Sequence, residues 1–196
     1  MSAPDDGRAK GPTMSIPEDA AVVSVAELAE VAELVTKQKL YENMALYCRG
    51  QDRKDLDLMK STFWPDATDN HGMFNGLAHD FCQWSYENQK TTQHRAQHYI
   101  TNVISEIDGD RAKRETAFVY VMVKPGGERT DLMGGRYRDL CERRDGKWKV
   151  LRRVVVFDYV AQCPPMGELG AAFGGIPETA RIGDVFPHDP IHDPEW

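Results

Sequence analysis

The feature that most constrains this fold is a change of hydrophobic period near residue 97. Upstream of it, apolar residues recur at helical spacing, as in Leu28, Val31 and Val35. Downstream of it, apolar and polar residues alternate over four segments, a pattern typical of half-buried strands. The first three segments end in turn sequences, which predicts a curved antiparallel sheet of consecutive hairpins. The predicted strands are 97–107, 112–124, 132–143 and 148–160, and the turns are Asp108-Gly-Asp, Pro125-Gly-Gly and Arg144-Asp-Gly.

The helical part of the sequence is divided by its start and stop signals. Ser24 is a candidate N-cap, and Gly50 is a candidate C-terminal stop. Asp52 is expected to open another helix, and Pro65 is expected to end it. The segments predicted on this basis are helices over 25–35, 37–48, 52–60 and 77–89, and a short strand and turn over 70–76.

Helices followed by a meander predict an α+β fold, in which the curved sheet wraps around the N-terminal helices and leaves a cone-shaped pocket. A chain of 196 residues fits one such domain with tails. Residues 1–16 are polar and predict a disordered arm, and residues 17–160 form the domain. Residues 161–196 are rich in Pro and Gly, which predicts an extended tail lying across a surface or a neighbouring subunit.

The charge balance narrows the class of partner. The chain has 24 Lys and Arg against 31 Asp and Glu, a net charge of −7. A protein that tracks nucleic-acid phosphates usually has a basic excess, so no nucleic-acid partner is predicted. No apolar run approaches the roughly eighteen residues that cross a bilayer, so no membrane association is predicted. The partner is expected to be a small neutral molecule or another protein.

The N-terminal sequence and the spacing of the cysteines indicate the cellular compartment of the protein. The first residues have neither a basic stretch nor an apolar stretch of the kind found in secretory signals. Cys48, Cys82, Cys141 and Cys163 lie far apart, without a C-x-x-C motif, which favours free thiols over disulfides or metal ligands. We therefore predict a cytoplasmic protein.

Polar side chains that project into the apolar cone are the candidate site residues. They are Asp52, His71, His98 and either Arg152 or Arg153. Each also has an ordinary explanation, because an Asp often caps a helix, a His often lies on the surface or in the core, and an Arg often marks a strand edge. The aromatic residues expected to line the pocket, for which core packing is the alternative, are Phe63, Trp64, Phe74, Trp84 and Tyr120.

Metal and cofactor chemistry find little support in the sequence. His94 and His98 have the i, i+4 spacing of two metal ligands on a helix, but no Glu follows the first His and no third ligand is evident. There is no Gly-x-Ser-x-Gly motif and no phosphate-binding glycine loop. We predict neither a metal nor a cofactor.

Several short motifs carry a resemblance to a known family. They are Tyr47-Cys-Arg-Gly-Gln-Asp-Arg-Lys-Asp, Phe63-Trp-Pro-Asp-Ala-Thr, His98-Tyr-Ile-Thr-Asn, Ile107-Asp-Gly-Asp, Gly134-Gly-Arg-Tyr and Glu142-Arg-Arg-Asp-Gly-Lys-Trp-Lys. Over roughly residues 35 to 160 the chain resembles the SnoaL-like branch of the nuclear-transport-factor-like superfamily, whose members have a cystatin-like cone. Within it, the chain is similar to the hexachlorocyclohexane dehydrochlorinases, the scytalone dehydratases and related lyases.

The resemblance implies a set of catalytic roles. The family's Asp and His correspond to Asp52 and His98, so His98 would be a general base oriented by Asp52. The family's Arg corresponds to Arg153, which would stabilise negative charge on the leaving group. The position of the dehydrochlorinases' Lys is held by Tyr47, which departs from halide-eliminating members and suits dehydratases, where it would protonate a leaving oxygen. His71 would line the pocket.

The function implied by these roles is that of a cofactor-independent lyase. Its substrate would be a small hydrophobic molecule, aromatic or alicyclic, that loses water, halide or formaldehyde; retro-aldol cleavage of lignin-derived aromatics is one such route. The alternatives are an isomerase or an epoxide hydrolase of the same fold, and a non-catalytic ligand-binding or scaffold subunit, because fold does not fix function. A homotrimer or homodimer formed through the outer sheet face is expected.

Overall fold

The computed structural model describes residues 24–127, 129–163, 181 and 183–193. The predicted arm over 1–16 and most of the predicted tail lie outside these residues. The helices are α1 (Val25–Arg53), α2 (Leu56–Ser61) and α3 (Ala78–Thr92). The strands are β1 (Phe63–Asn70), β2 (Asn75–Leu77), β3 (Arg95–Asp108), β4 (Arg111–Val123), β5 (Thr130–Arg144) and β6 (Lys147–Cys163).

The sheet confirms the predicted meander and extends it. Strands β3 to β6 pair in sequence order as antiparallel neighbours, and the full order is β2-β1-β6-β5-β4-β3. The prediction missed two pairings, because β1 joins the sheet beside β6 in parallel and β2 pairs with β1 in antiparallel. Helix α1 packs against β3 and β6. The molecule is therefore an α+β fold whose curved sheet encloses its helices, as expected.

The curvature of the sheet has a local cause at Gly134 and Gly135. The register between β5 and β6 shifts between these two residues, which marks a β-bulge. A Cβ atom on Gly134 would lie 2.1 Å from the ring of Tyr159, and one on Gly135 would lie 2.2 Å from the Val156 carbonyl oxygen. Only glycine permits the close approach at which this strand bends.

Helix α1 is a single helix, so the predicted break after residue 35 and the predicted stop at Gly50 are both wrong. It begins at a capping box in which Ser24 accepts from the Glu27 amide and the Glu27 carboxylate accepts from the Ser24 amide. Gly50 does not stop it. A Cβ there would lie 2.9 Å from Met59, so glycine is required for the contact with α2. The helix ends where Lys54 adopts a left-handed conformation.

The end of α1 changes the position of Asp52. This residue does not open a helix; it lies in the last turn of α1, near its C-terminus. The residues expected to end a third helix form β1 instead, and Pro65 falls between Phe63 and Thr68, where the pairing of β1 with β6 shifts register.

A fully buried ion cluster lies between the sheet and α1. Asp139 on β5 accepts from Arg114 on β4, with Nη2 to Oδ2 at 2.6 Å, and from Arg153 on β6, with Nε to Oδ1 at 2.8 Å. All three side chains are 0% exposed. Arg114 also donates to the Leu40 carbonyl oxygen on α1. Burial raises the pKa of Asp139, but the two guanidinium groups outweigh this effect and hold the pKa below its usual value.

Among the described residues, no helix combines the length and the apolar character needed to cross a membrane.

Removing the shared carboxylate should destabilise the protein strongly. Asp139→Asn leaves two buried guanidinium groups without their counter-charge, and we expect it to lower the free energy of unfolding by about 3–5 kcal/mol. The measurement is urea denaturation followed by circular dichroism. Asp158→Asn is the matched control, because Asp158 pairs with Arg136 on the exposed face and should contribute only about 0–1 kcal/mol. Equal losses for the two variants would contradict the structural role assigned to Asp139.

Candidate active site

A cavity of about 330 Å³ lies between α1, α3 and the inner face of β3 to β6. Its walls are mainly aromatic and apolar, with a few polar groups, which is the composition of small-molecule sites. The lining residues contributed by the sheet are His98, Phe118, Tyr120, Met122, Met133, Tyr137, Val155 and Phe157. Those contributed by α1, α3 and the segments beside them include Tyr47, Gln51, His71, Phe81, Trp84, Ser85 and Gln89.

Two predicted residues, Asp52 and His98, meet at one end of this cavity. Nδ1 of His98 lies 2.6 Å from Oδ1 of Asp52, and the His98 backbone N–H donates to Oδ2 of the same carboxylate at 2.9 Å. Each side chain is 9% exposed. Because both carboxylate oxygens are bound by one residue, the orientation of the ring is fixed. Nε2 of His98 has no hydrogen-bond partner within the described part of the chain.

Tyr47, the third predicted residue, lies on α1 one turn before Asp52. Its hydroxyl oxygen accepts a hydrogen bond from Nε2 of Gln51 at 3.0 Å. Burial raises the pKa of Tyr47 well above its ordinary value, and the positive charge of Arg153 offsets only part of this. The hydroxyl therefore keeps its proton at neutral pH.

Tyr137 is a cavity residue to which the sequence analysis assigned no role. Its ring lies 5.8 Å from that of Tyr47 and 4.4 Å from that of Phe118. Burial raises its pKa well above the ordinary value, so it too is protonated at neutral pH. The signal that identifies it is strand alternation, because Tyr137 shares a face of β5 with the buried Asp139.

His71 lines the cavity and has a carboxylate partner of its own. Its Nδ1 contacts Oδ1 of Asp69 at the end of β1, and its ring stacks on Phe81 at 3.9 Å. Burial lowers the pKa of His71, and the attraction of Asp69 offsets only part of this shift. The cavity is thus bordered by two imidazoles, each bound to an aspartate through Nδ1.

Arg153 does not line the cavity, in contrast to the expectation that it contacts the leaving group. Its guanidinium is held by Asp139 and lies behind two cavity rings, 4.1 Å from the centroid of Tyr47 and 4.5 Å from that of Tyr137. The alternation of β6 places it on the buried side, and the paired aspartate keeps it there. Its charge reaches the cavity through the two tyrosines.

The five predicted aromatic residues divide into two groups. Trp84 and Tyr120 line the cavity. Phe63 packs behind Tyr47 at 5.6 Å, and Phe74 packs against Trp84 at 5.9 Å from outside the cavity. Trp64 is further away: its indole N–H donates to the Glu142 carbonyl oxygen. Phe63, Trp64 and Phe74 are therefore packing residues.

The histidine pair considered for a metal does not have helical geometry. His94 precedes β3 and His98 lies within it, so the spacing does not place the two rings together. Within residues 24–127, 129–163, 181 and 183–193, no three His, Cys, Asp or Glu side chains are grouped as metal ligands.

The described part of the C-terminal segment binds the chain itself beside Asp52. The Phe186 backbone N–H donates to the Arg53 carbonyl oxygen at 2.6 Å, and Nε of Arg53 lies 3.1 Å from Oδ2 of Asp189. Arg95, at the start of β3, donates to the Gly183 carbonyl oxygen at 3.0 Å. These contacts join the end of α1 to the start of β3, the two elements that carry Asp52 and His98.

Comparison with known families identifies the chain. The profile of the SnoaL-like domain matches residues 32–154, and the protein belongs to this family. Among curated proteins, none matches the sequence.

Solved structures show the same fold at low identity. A candidate scytalone dehydratase from Novosphingobium aromaticivorans DSM 12444 is 17% identical, with a TM-score of 0.63, over 71% of this chain and 99% of that one. A type 2 hexachlorocyclohexane dehydrochlorinase is 22% identical, with a TM-score of 0.61, over 71% and 95%. A protein with a cystatin-like fold from Nostoc punctiforme is 21% identical, with a TM-score of 0.53, over 62% and 90%.

The buried His71 should make stability depend on pH. Below the ordinary His pKa of about 6.5, the unfolded chain takes up a proton at this residue, whereas the folded chain does so only at lower pH. The unfolded state then binds more protons, so stability falls as pH falls. We expect the free energy of unfolding of His71→Gln to depend less steeply on pH than that of the wild type between about pH 7.5 and about pH 5.5.

The measurement is urea denaturation of both proteins across that range. His94→Gln, which exchanges an exposed imidazole for the same amide, is the control. A slope for His71→Gln equal to that of the wild type would contradict the assignment of a buried neutral imidazole.

Proposed function

We propose that this SnoaL-like protein is a cofactor-independent lyase in which His98, oriented by Asp52, removes a proton from a small aromatic or alicyclic substrate. The observation that carries the proposal is the contact of 2.6 Å between Nδ1 of His98 and Asp52 beside a largely apolar cavity. A carrier or scaffold protein has no need of a carboxylate that fixes an imidazole at the wall of its pocket.

The geometry around His98 suits a general base. With its Nδ1 proton donated to Asp52, the neutral ring has its lone pair on Nε2, the nitrogen that has no partner within the described residues. When Nε2 takes a proton from the substrate, the imidazolium forms next to the carboxylate that stabilises it. The weakly polar cavity strengthens this attraction.

Tyr47 is the proposed general acid. Its high pKa keeps the hydroxyl protonated, and the bond accepted from Gln51 leaves its own proton available. As the electron pair of the broken C–H bond forms a double bond, the leaving oxygen takes the Tyr47 proton and departs as water. The charge of Arg153 behind the ring stabilises the tyrosinate that remains.

A second route uses the same groups. His98 takes the proton of a substrate hydroxyl, the adjacent carbon–carbon bond breaks to release formaldehyde, and the carbon that keeps the electron pair is protonated. Both routes use Tyr47 as an acid. A halide leaves without a proton, so the Tyr at this position favours loss of water or formaldehyde over loss of halide.

An epoxide hydrolase is supported less well. That chemistry needs an arginine and carboxylates that reach the substrate. Arg153 lies outside the cavity lining, both oxygens of Asp52 are bound by His98, and Asp158 is exposed and paired with Arg136. We further propose that the chain acts as a homotrimer or homodimer formed through the outer sheet face, where Ile104 and Tyr159 are exposed.

Loss of the base should abolish most of the activity. We expect His98→Ala to lower kcat about 10²–10⁴-fold, and Asp52→Asn to lower it in the same direction, because the ring loses its orientation. The assay follows a panel of benzylic alcohols and benzylic halides that carry a hydrogen on the adjacent carbon, by NMR in D₂O, which reports both elimination and exchange of the abstracted proton. His94→Ala, an exposed imidazole outside the cavity, is the control. Undiminished turnover by His98→Ala would refute the proposal, and so would a wild-type protein that converts no compound in the panel.

Loss of the acid should depend on the leaving group. We expect Tyr47→Phe to lower kcat for loss of water about 10²-fold or more, while substrates that lose halide are affected less, because a halide departs without a proton. The comparison uses a benzylic alcohol and the matching benzylic halide, each with a hydrogen on the carbon next to the one that bears the leaving group. Tyr99→Phe, next to His98 in sequence but on the opposite face of β3, is the control. Equal effects on both substrates would exclude Tyr47 as the proton donor.

A further inference from the structure

One wall of the cavity is built from three buried polar side chains, which we call the amide wall: Gln51 on α1, and Ser85 and Gln89 on α3. Ser85 Oγ donates to Gln51 Oε1 at 3.0 Å. Nε2 of Gln89 donates to the same oxygen at 2.5 Å and to Ser85 Oγ at 3.0 Å. Both protons of the Gln89 amide nitrogen are therefore used within the wall.

The oxygen of the same amide has no such partner. Gln89 is 4% exposed, and its Oε1 accepts no hydrogen bond from any described residue. An unpaired acceptor in a buried position is unfavourable, and native proteins rarely leave one without a ligand or water to satisfy it. Gln89 lines the cavity, but Oε1 itself is closed to solvent, so a donor on a bound ligand reaches this oxygen only when the Gln89 side chain shifts toward the cavity.

The other end of the amide wall presents a donor. Nε2 of Gln51 donates to the Tyr47 hydroxyl, whose own proton has no acceptor among the described residues. The amide wall and Tyr47 together thus offer a ligand one acceptor, on Gln89, and one donor, on Tyr47. Gln51 orients both side chains, because its amide nitrogen binds Tyr47 and its amide oxygen binds Gln89.

We infer that Gln89 binds a hydroxyl group of the substrate, so that the cavity selects hydroxylated aromatic compounds over their O-alkylated analogues. The inference rests on the proposed function and names its substrate class. A hydroxyl fits better than the other donors, because an ammonium group would lose its hydration against an uncharged wall. A carboxylate would face the Gln89 oxygen with like polarity. Phe118, Tyr120 and Trp84 supply the flat apolar surfaces that an aromatic ring needs.

The test compares two ligands that differ only at the hydroxyl, 4-phenylphenol and its methyl ether, 4-methoxybiphenyl. Neither has a group to eliminate, so the result does not depend on whether His98 acts as a base. Dissociation constants are measured by isothermal titration calorimetry. We expect the wild-type protein to bind the phenol at least about tenfold more tightly than the ether, because only the phenol satisfies the buried acceptor.

Gln89→Met removes the acceptor at nearly constant volume and should reduce the ratio of the two dissociation constants to about one. Gln83→Met makes the same exchange on the exposed side of α3, where the amide contacts Glu87, and should keep the wild-type ratio. Thermal unfolding checks that both variants are folded, and a wild-type ratio near one would exclude the inference without any variant.

Several outcomes would overturn the inference. They are a wild-type ratio near one, no detectable binding of the phenol, and a wild-type ratio that survives in Gln89→Met, which would assign the hydroxyl to another group. A variant that weakens both ligands equally would show that Gln89 only supports the wall.

Discussion

A single carboxylate, Asp139, holds two buried guanidinium groups and thereby joins three strands to the long helix. Arg114 links it to the backbone of α1, and Arg153 extends from it to the back of the Tyr47 and Tyr137 rings. Removing charges from water is costly, so such a cluster adds little net stability, but it fixes the relative positions of the elements that it joins. Here the geometry is the distance between the sheet, which carries His98, and α1, which carries Tyr47, Gln51 and Asp52.

The two imidazoles at the cavity, His71 and His98, are held in different ways. Both bind an aspartate through Nδ1, but Asp52 also accepts the backbone N–H of His98, so the ring and the chain on which it is mounted are fixed together. His71 is stacked on Phe81, and burial disfavours its charged form. Burial lowers the pKa of His71 despite its contact with Asp69, so this ring stays neutral. The proposed mechanism therefore assigns the base to His98, whose ring and backbone are both bound by Asp52.

The sequence predicted the sheet better than the helices, for a physical reason. Turns such as Asp108-Gly-Asp and Arg144-Asp-Gly determine hairpins locally, and the meander was correct. Gly50 was wrongly predicted to end a helix, because this glycine is needed for a tertiary contact with Met59 on α2. The resemblance placed Asp52 and His98 together, but it could not show that Arg153 lies behind the tyrosines, because that depends on the side chains of β4 and β5. In the amide wall, Gln51 binds Ser85 and Gln89, which follow it by 34 and 38 positions in the sequence. No local sequence pattern can reveal contacts over such a separation.

The two ends of α1 differ in their contacts with the C-terminal segment, which binds Arg53, the last residue of the helix. The first turns of α1 are exposed, whereas Arg53 holds Phe186 and Asp189 one residue away from the carboxylate that steers His98. A label placed on the exposed first turns of α1 sits on a part of the helix that contributes nothing to the cavity lining. A label placed on residues 183–193 sits on a segment bound to Arg53, the neighbour of Asp52, so labelling the first turns of α1 should disturb the proposed site less.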